Sequence, residues 1–193
     1  MPMGVLAKTI TVTIAVPLKA NSHANVPLSR LISSTNMTPA VTALDKAGLP
    51  FWIHEYEHDP GNTHYGDEAA QKLGIERERI FKTLVIELDN GHLATAILPV
   101  NMTLNLKTAA RSLQAKKAHL AKPEQVERSS GYVLGGVSPI GQKKTLRAVI
   151  DSSALACTTI FISGGKRGLE LELAPQHLCQ ITHAHYESLG VSK

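Results

Sequence analysis

Two long apolar runs, Ile80 to Leu88 and His92 to Val100, face each other across Asp89-Asn90-Gly91. Asn and Gly both tolerate positive φ, so this pair between apolar runs specifies a tight hairpin. Strands of that length need a buried face, and the remaining elements must supply it. Thr38-Pro39 predicts an N-cap followed by proline at the first helical position, with Gly48 closing the helix after Lys46. Phe51 to Tyr56 alternates and predicts a strand. Asp67 to Leu73 predicts a short helix stopped by Gly74. Beyond the hairpin, helices are expected over Leu106 to Leu113, capped by Asn105, and over Pro123 to Arg128. Strands are expected near Ala118 and over Leu146 to Ile150, Thr159 to Ser163 and Leu169 to Leu173. A closing helix is expected over Pro175 to Tyr186. Hairpins interspersed with helices predict one α+β domain with a curved, mixed sheet.

The chain has 193 residues, enough for one proper core. Its longest early apolar stretch, Ile10 to Leu18, is too short to span a bilayer and is broken by Thr11, Thr13 and Pro17. Cys157 and Cys179 are too few to make a disulfide framework, so a reducing, cytoplasmic setting is the expectation. Residues 1–36 differ from the rest. They hold Lys8, Lys19 and Arg30 with no acid, and account for +3 of the net charge of +4. The alternating Thr9 to Val16 lacks the continuous apolar segment of a signal peptide, and no arginine-rich leader is present. These residues are expected to be a poorly ordered extension with no catalytic role, with translation starting at Met37 and the domain occupying residues 37–193.

A net charge this small does not by itself imply a nucleic-acid partner. Local pairs carry more information. Lys116-Lys117 reads as ordinary solvated surface, whereas Lys143-Lys144 and Lys166-Arg167 adjoin glycine-rich turns. Lys82, at the start of an apolar strand, has two readings. A lysine there can snorkel, burying its stem and solvating its amine. It can also be a cation held in a pocket to meet a phosphate or a developing negative charge. Gly135-Gly136 is either a simple turn or a place where a ligand approaches backbone N–H groups. His54 and His58 have the i, i+4 spacing of metal ligands on a helix, but they lie in an alternating, strand-like stretch. Neither cysteine has a histidine or glycine-rich setting that would mark a nucleophile. There is no G-x-S-x-G elbow and no P-loop.

Taken together, several stretches carry a family resemblance. They are Met37 to Val41, Tyr56-Glu57-His58-Asp59-Pro60, Gly66-Asp67-Glu68, Lys82-Thr83-Leu84 and Thr103 to Lys107. Two further runs, Gly131 to Lys144 and Ser163 to Leu173, are the most specific. From Met37 to about Leu189 the chain resembles the YbaK/EbsC family, in its Cys-tRNA(Pro)/Cys-tRNA(Cys) deacylase branch. The resemblance implies a barrel-like α+β fold related to the editing domain of bacterial prolyl-tRNA synthetases. It also implies mischarged Cys-tRNA(Pro) as substrate and no metal or organic cofactor. By matching motif, Lys82 and Gly136 would be catalytic, and Tyr56, Thr83, Gly135, Ser163 and Glu170 would bind the aminoacyl end. Lys143, Lys144, Lys166 and Arg167 would contact the transfer RNA. Glu170 departs from the branch, which usually has aspartate there. The implied route is attack by the substrate's own thiol on its ester, the backbone around Gly136 holding the carbonyl oxygen. Removal of alanine from tRNA(Pro) and non-catalytic binding of aminoacyl-tRNA or a synthetase are the alternatives.

Overall fold

A computed structural model describes residues 36–192 and the backbone of residues 12–16. The Asn-Gly hairpin is its centre. Strand β3 (Ile80–Leu88) pairs antiparallel with β4 (Leu93–Pro99) from Phe81↔Pro99 to Glu87↔Leu93. Gly91 takes φ +78° and Asn90 does not take a positive φ, so the glycine alone closes a three-residue loop bracketed by the bond from the Leu88 N–H to the His92 carbonyl.

The other strands extend this ladder on both sides. β7 (Arg147–Asp151) runs parallel to β4, and β10 (His185–Glu187) runs parallel to β7. On the opposite side β8 (Ile160–Ser163) lies parallel to β3, followed by antiparallel β9 (Leu169–Leu173) and β2 (Phe51–Glu55). β1 (Val12–Val16) is antiparallel to β2, and a short β6 (Ala118–Leu120) pairs with the far end of β3. The path from β1 to β10 makes a mixed sheet of the expected α+β class. A separate ribbon joins β5 (Met102–Leu104) to β11 (Gly190–Ser192).

Among the described residues, five helices cover the sheet. α1 (Pro39–Ala47) starts as expected: the Thr38 side chain accepts from the Val41 N–H, and Gly48 ends the helix in the left-handed region. Its Ala40, Val41 and Leu44 pack with Phe51, Ile53, Phe81, Ile97, Ile162 and the leucines of β9. α2 (Tyr65–Leu73) places Ala69 and Ala70 against Tyr56, Ile80, Val100 and Phe161. α3 (Leu106–Ser112), capped by the Asn105 side chain, covers Ile86, Ala94 and Val149. α4 (Pro123–Ser130) sets Val126 against Val85, Tyr132 and Val137. α5 (Pro175–Thr182) adds Leu178 to the core around α1.

Three expectations change. The closing helix ends at Thr182 rather than Tyr186, because His183 turns the chain at φ +51° and Tyr186 then joins β10. Strands β5 and β11 were not expected; each is three residues long, and only their mutual pairing distinguishes them from loop. Within the expected extension, Val12–Val16 forms an ordered strand, five residues in register with β2. Its alternating Thr, Ile and Val suit an edge strand. The rest of that segment up to residue 35 lies outside the described residues. Asn36 belongs with the domain: it is buried, and its side chain accepts from Lys166 Nζ at 2.6 Å.

Candidate active site

The strand pairing creates an opening. On its side away from β4, β3 pairs with β8 through Ile80 and Phe81 and with β6 through Ile86 to Leu88. The ladder is interrupted across residues 82–84, the Val85 carbonyl accepting from the Ala121 N–H, and a cavity of about 460 Å³ sits beside that interruption. An interrupted ladder leaves strand edge for a ligand to meet. Lys82, Thr83, Gly135, Ser163 and Glu170 all line this cavity, from three separate parts of the chain.

Each arrives there for a local reason. The Lys82 stem lies half-buried on β3, and its ammonium donates to the Val100 carbonyl at 3.3 Å and the Met102 carbonyl at 2.5 Å. Both of these acceptors are neutral carbonyls. The neighbouring Thr83 hydroxyl is buried with no hydrogen-bond partner among the described residues. Unsatisfied buried hydroxyls are uncommon, and one that lines a cavity is suited to a ligand.

Strand β9 reads Leu-Glu-Leu-Glu-Leu, so its leucines enter the core and its acids share the other face. Glu172 is held by His54, Arg79 and Thr159. Glu170 pairs in register with Ser163 of β8 and His54 of β2, and is 8% exposed. Burial pushes its carboxyl up to about 8 from the usual 4.5. The acid is therefore largely neutral in the empty cavity at neutral pH, and an ammonium ligand would draw its proton off.

A raised carboxyl fixes the sign of a pH effect. Between about pH 4.5 and pH 8 the folded chain holds the Glu170 proton more tightly than the unfolded chain. Stability from this group is therefore greatest below pH 4.5 and falls as pH rises to about 8, above which the loss is complete. Glu170→Gln should raise the melting temperature at pH 9 by about 5 °C and change it little at pH 4. Thermal melts of both proteins across that range check this; parallel profiles would mean that burial of Glu170 does not govern the slope.

Gly135 takes φ +85°, and a Cβ there would lie 2.6 Å from the Tyr65 ring. Gly136 sits just behind the cavity wall, tight against the backbone of Lys166 and Arg167. Its N–H donates to the Val133 carbonyl at 3.0 Å, so that group is already committed. The backbone around Gly136 is the stretch expected to hold a carbonyl oxygen; within it the Gly136 N–H has this partner, and the missing side chain permits the close packing.

Tyr56 also lies behind the cavity, buried among Ala69, Ala70, Ile80, Val100 and Phe161. Burial, then the nearby carboxylates of Glu170 and Glu68, hold its hydroxyl well above the usual tyrosine range. Of the four expected transfer-RNA contacts, Lys143, Lys144 and Arg167 are exposed. Lys143 and Lys144 are aligned along the end of α4 by backbone bonds to Ser130 and Ser129. The fourth, Lys166, is half-buried, and its ammonium donates to the Asn36 side chain.

The start of α2 was missed as part of the site. His64, Tyr65, Gly66 and Asp67 line the cavity, and the Arg167 guanidinium lies 5.0 Å over the Tyr65 ring. Buried Glu68 anchors this corner, accepting from the Asp59 N–H at 2.6 Å and lying 2.7 Å from His58 Nδ1. His58 is thus a carboxylate partner. Among the described residues no group of three or more His, Cys, Asp or Glu side chains is placed to hold a metal ion. An acid buried in the first turn of a helix was the available signal for Glu68; nothing local marks Tyr65.

The chain is similar to known proteins in both sequence and fold. Residues 60–181 match the family model of the aminoacyl-tRNA editing domain. A protein of Enterococcus faecalis named as a Cys-tRNA(Pro)/Cys-tRNA(Cys) deacylase, EbsC, is 34% identical over 153 residues, covering 79% of this chain and 92% of that protein. A proline–tRNA ligase of Nitratidesulfovibrio vulgaris is 28% identical over 148 residues, 77% of this chain but 24% of the ligase. A solved structure described as a trans-editing enzyme for prolyl-tRNA synthetase superposes with a TM-score of 0.70 at 26% identity, covering 83% of this chain and 99% of that one.

Proposed function

The chain belongs to the aminoacyl-tRNA editing domain family, and on that premise we propose that it is a free-standing deacylase removing cysteine from mischarged Cys-tRNA(Pro). Cys-tRNA(Cys) is a second candidate substrate. The observation that carries the reading is a cavity rich in groups that hold and poor in groups that attack. Lys82, Thr83, Ser163 and Glu170 line it, yet neither cysteine does. Cys157 and Cys179 pack against the core around α1 instead. Among the described residues no hydrogen bond links the Ser163 or Thr83 hydroxyl to a histidine that would activate it; Ser163 Oγ accepts from the Gly165 N–H.

A site without its own nucleophile suits a substrate that brings one. The cysteinyl sulfur attacks its own ester carbonyl carbon, the bond from that carbon to the ribose oxygen breaks, and the thiol proton ends on that oxygen. The product is a cyclic thiolactone and free tRNA. The protein's part is to hold the near-attack geometry, which contributes roughly 7–11 kcal/mol in favourable intramolecular reactions. In this scheme the Lys82 ammonium stabilises the charge developing at the ester or fixes the terminal nucleotide, and Thr83 and Ser163 place the aminoacyl group. Glu170 receives its α-ammonium. With the Gly136 N–H committed, the carbonyl oxygen falls to the rest of the Gly135 turn. Tyr56 supports Glu170 from behind.

Such a step is needed because a pocket sized for proline cannot strongly reject cysteine by shape. On this reading the editing domain spans residues 37–193, joined by Asn36. Lys143, Lys144 and Arg167 give salt-sensitive, sequence-tolerant affinity for the tRNA backbone. Selection of the tRNA is left to prolyl-tRNA synthetase, and the chain works in the cytoplasm. No helix among the described residues is long and apolar enough to cross a membrane.

The test is release of the amino acid from Cys-tRNA(Pro) and Ala-tRNA(Pro), with the sulfur-containing product identified by mass spectrometry. Cysteine is expected to leave at least about 100-fold faster than alanine, as the thiolactone. Equal rates would replace the thiol route with a water-based editor. Binding of both substrates without turnover would leave a non-catalytic module.

A further inference from the structure

The carbonyl that takes the shorter of the two Lys82 bonds belongs to Met102, the first residue of β5. That strand is only three residues long, and its partner is the C-terminal strand β11, in the register Met102↔Ser192, Thr103↔Val191, Leu104↔Gly190. A three-residue ribbon is not stable by itself. Its anchor is Asp151, 4% exposed at the end of β7. One carboxylate oxygen accepts from the Leu189 N–H at 2.8 Å and the Gly190 N–H at 2.7 Å. The other accepts from the Ser153 N–H at 3.0 Å and its hydroxyl at 2.6 Å. The Leu189 carbonyl in turn accepts from the Asn105 N–H at 2.8 Å, just beyond β5. Gly190 completes the fit, since a Cβ there would lie 2.3 Å from the Met102 sulfur.

We propose that Asp151 and the C-terminal strand it pins form a latch that positions Lys82, by fixing the Met102 carbonyl that holds its ammonium. Asp151 is a positioning residue in this account. It lines no part of the cavity and acts through β11, β5 and Met102. Four donors converge on one buried carboxylate, more than a capping role for the following turn requires. The kinetic consequence rests on the deacylase reading; the structural coupling does not.

Two full-length variants test it. Asp151→Asn keeps the shape but turns an amide N–H₂ toward backbone donors. Gly190→Ala leaves Asp151 intact and drives a methyl into Met102, so it serves if the first variant does not fold. In folded protein, reaction of Lys82 with a small amine-acylating reagent, followed by mass spectrometry, should rise severalfold in both variants. Labelling of Lys143, Lys144 and Lys116 should stay unchanged. Adding Met102→Ala to Gly190→Ala relieves the clash while keeping the carbonyl, and should restore the parent labelling. For cysteine release, kcat should fall about tenfold with KM unchanged, and the loss should vanish in a Lys82→Ala background. Unchanged Lys82 labelling in both folded variants, or an equal kinetic loss with and without Lys82, overturns the latch. Should the parent itself release no cysteine, the deacylase reading falls, while the labelling still decides the coupling.

Discussion

Lys82→Ala is expected to lower kcat for cysteine release by about 10²–10³-fold, the usual cost of removing one preorganised electrostatic group, with the protein still folded. The residue is half-buried at the interrupted edge of β3, and two fixed carbonyls hold its ammonium before any substrate arrives. Such a charge needs no reorganisation as the reaction proceeds, so its loss falls on the transition state more than on the ground state. KM for Cys-tRNA should therefore change much less than kcat. Single-turnover rates at saturating enzyme, with a thermal melt of the variant, separate the two. A large rise in KM at unchanged kcat would make Lys82 a tRNA anchor with no part in the chemistry.

The second large effect should come from one added methyl. In Gly136→Ala the new Cβ would lie 2.8 Å from Lys166 Cα, 2.9 Å from the Lys166 carbonyl carbon and 3.1 Å from the Arg167 nitrogen. All three are backbone atoms, so no side-chain rotation relieves the clash. The two glycine turns must move apart, costing roughly 1–3 kcal/mol of stability. Gly135 lines the cavity on one of these turns, and Ser163 enters the other. A shift of about 1 Å between them should reduce kcat roughly 10²-fold. Gly48→Ala is the control with the opposite balance: it strains a positive φ, +65°, which Gly136 does not have, but a Cβ there meets nothing within 4 Å. It should cost about 1 kcal/mol and leave the rate untouched. Urea titrations and cysteine-release rates on the three proteins check this; Gly136→Ala behaving like Gly48→Ala would remove close packing as the reason for that glycine.

The residues that proved easiest to interpret are those whose physics is local. The Asn90-Gly91 turn, the Thr38-Pro39 cap with Gly48, the Asn105 cap and the Leu169–Leu173 alternation each depend on backbone preferences within a few positions. All four appear as expected. Local physics also limited what could be said of Lys82, where snorkelling and a functional charge share one sequence pattern. The family resemblance supplied a preference between them, and the same resemblance brought Thr83, Gly135, Ser163 and Glu170 together with it. It carried no information about which backbone N–H groups find partners within the fold, as the Gly136 N–H does in the Val133 carbonyl. Nor did it carry the bond from the Lys166 ammonium to the Asn36 side chain, which only the fold brings together.

By itself, then, the amino-acid sequence determined the hairpin at the centre, the helix boundaries marked by caps, the α+β class and the set of residues worth watching. Tertiary structure alone decided that β3 would be flanked by β8 at one end and β6 at the other, opening a cavity between them. It also decided that Tyr65 would line that cavity, that burial would raise the Glu170 carboxyl, and that the C-terminal strand would reach the carbonyl holding Lys82. The division has one physical cause. Turns, caps and alternation are set by interactions between near neighbours in the chain, whereas the cavity and its electrostatics come from pairing segments tens of residues apart, a choice made by burial and hydrogen bonding across the whole fold.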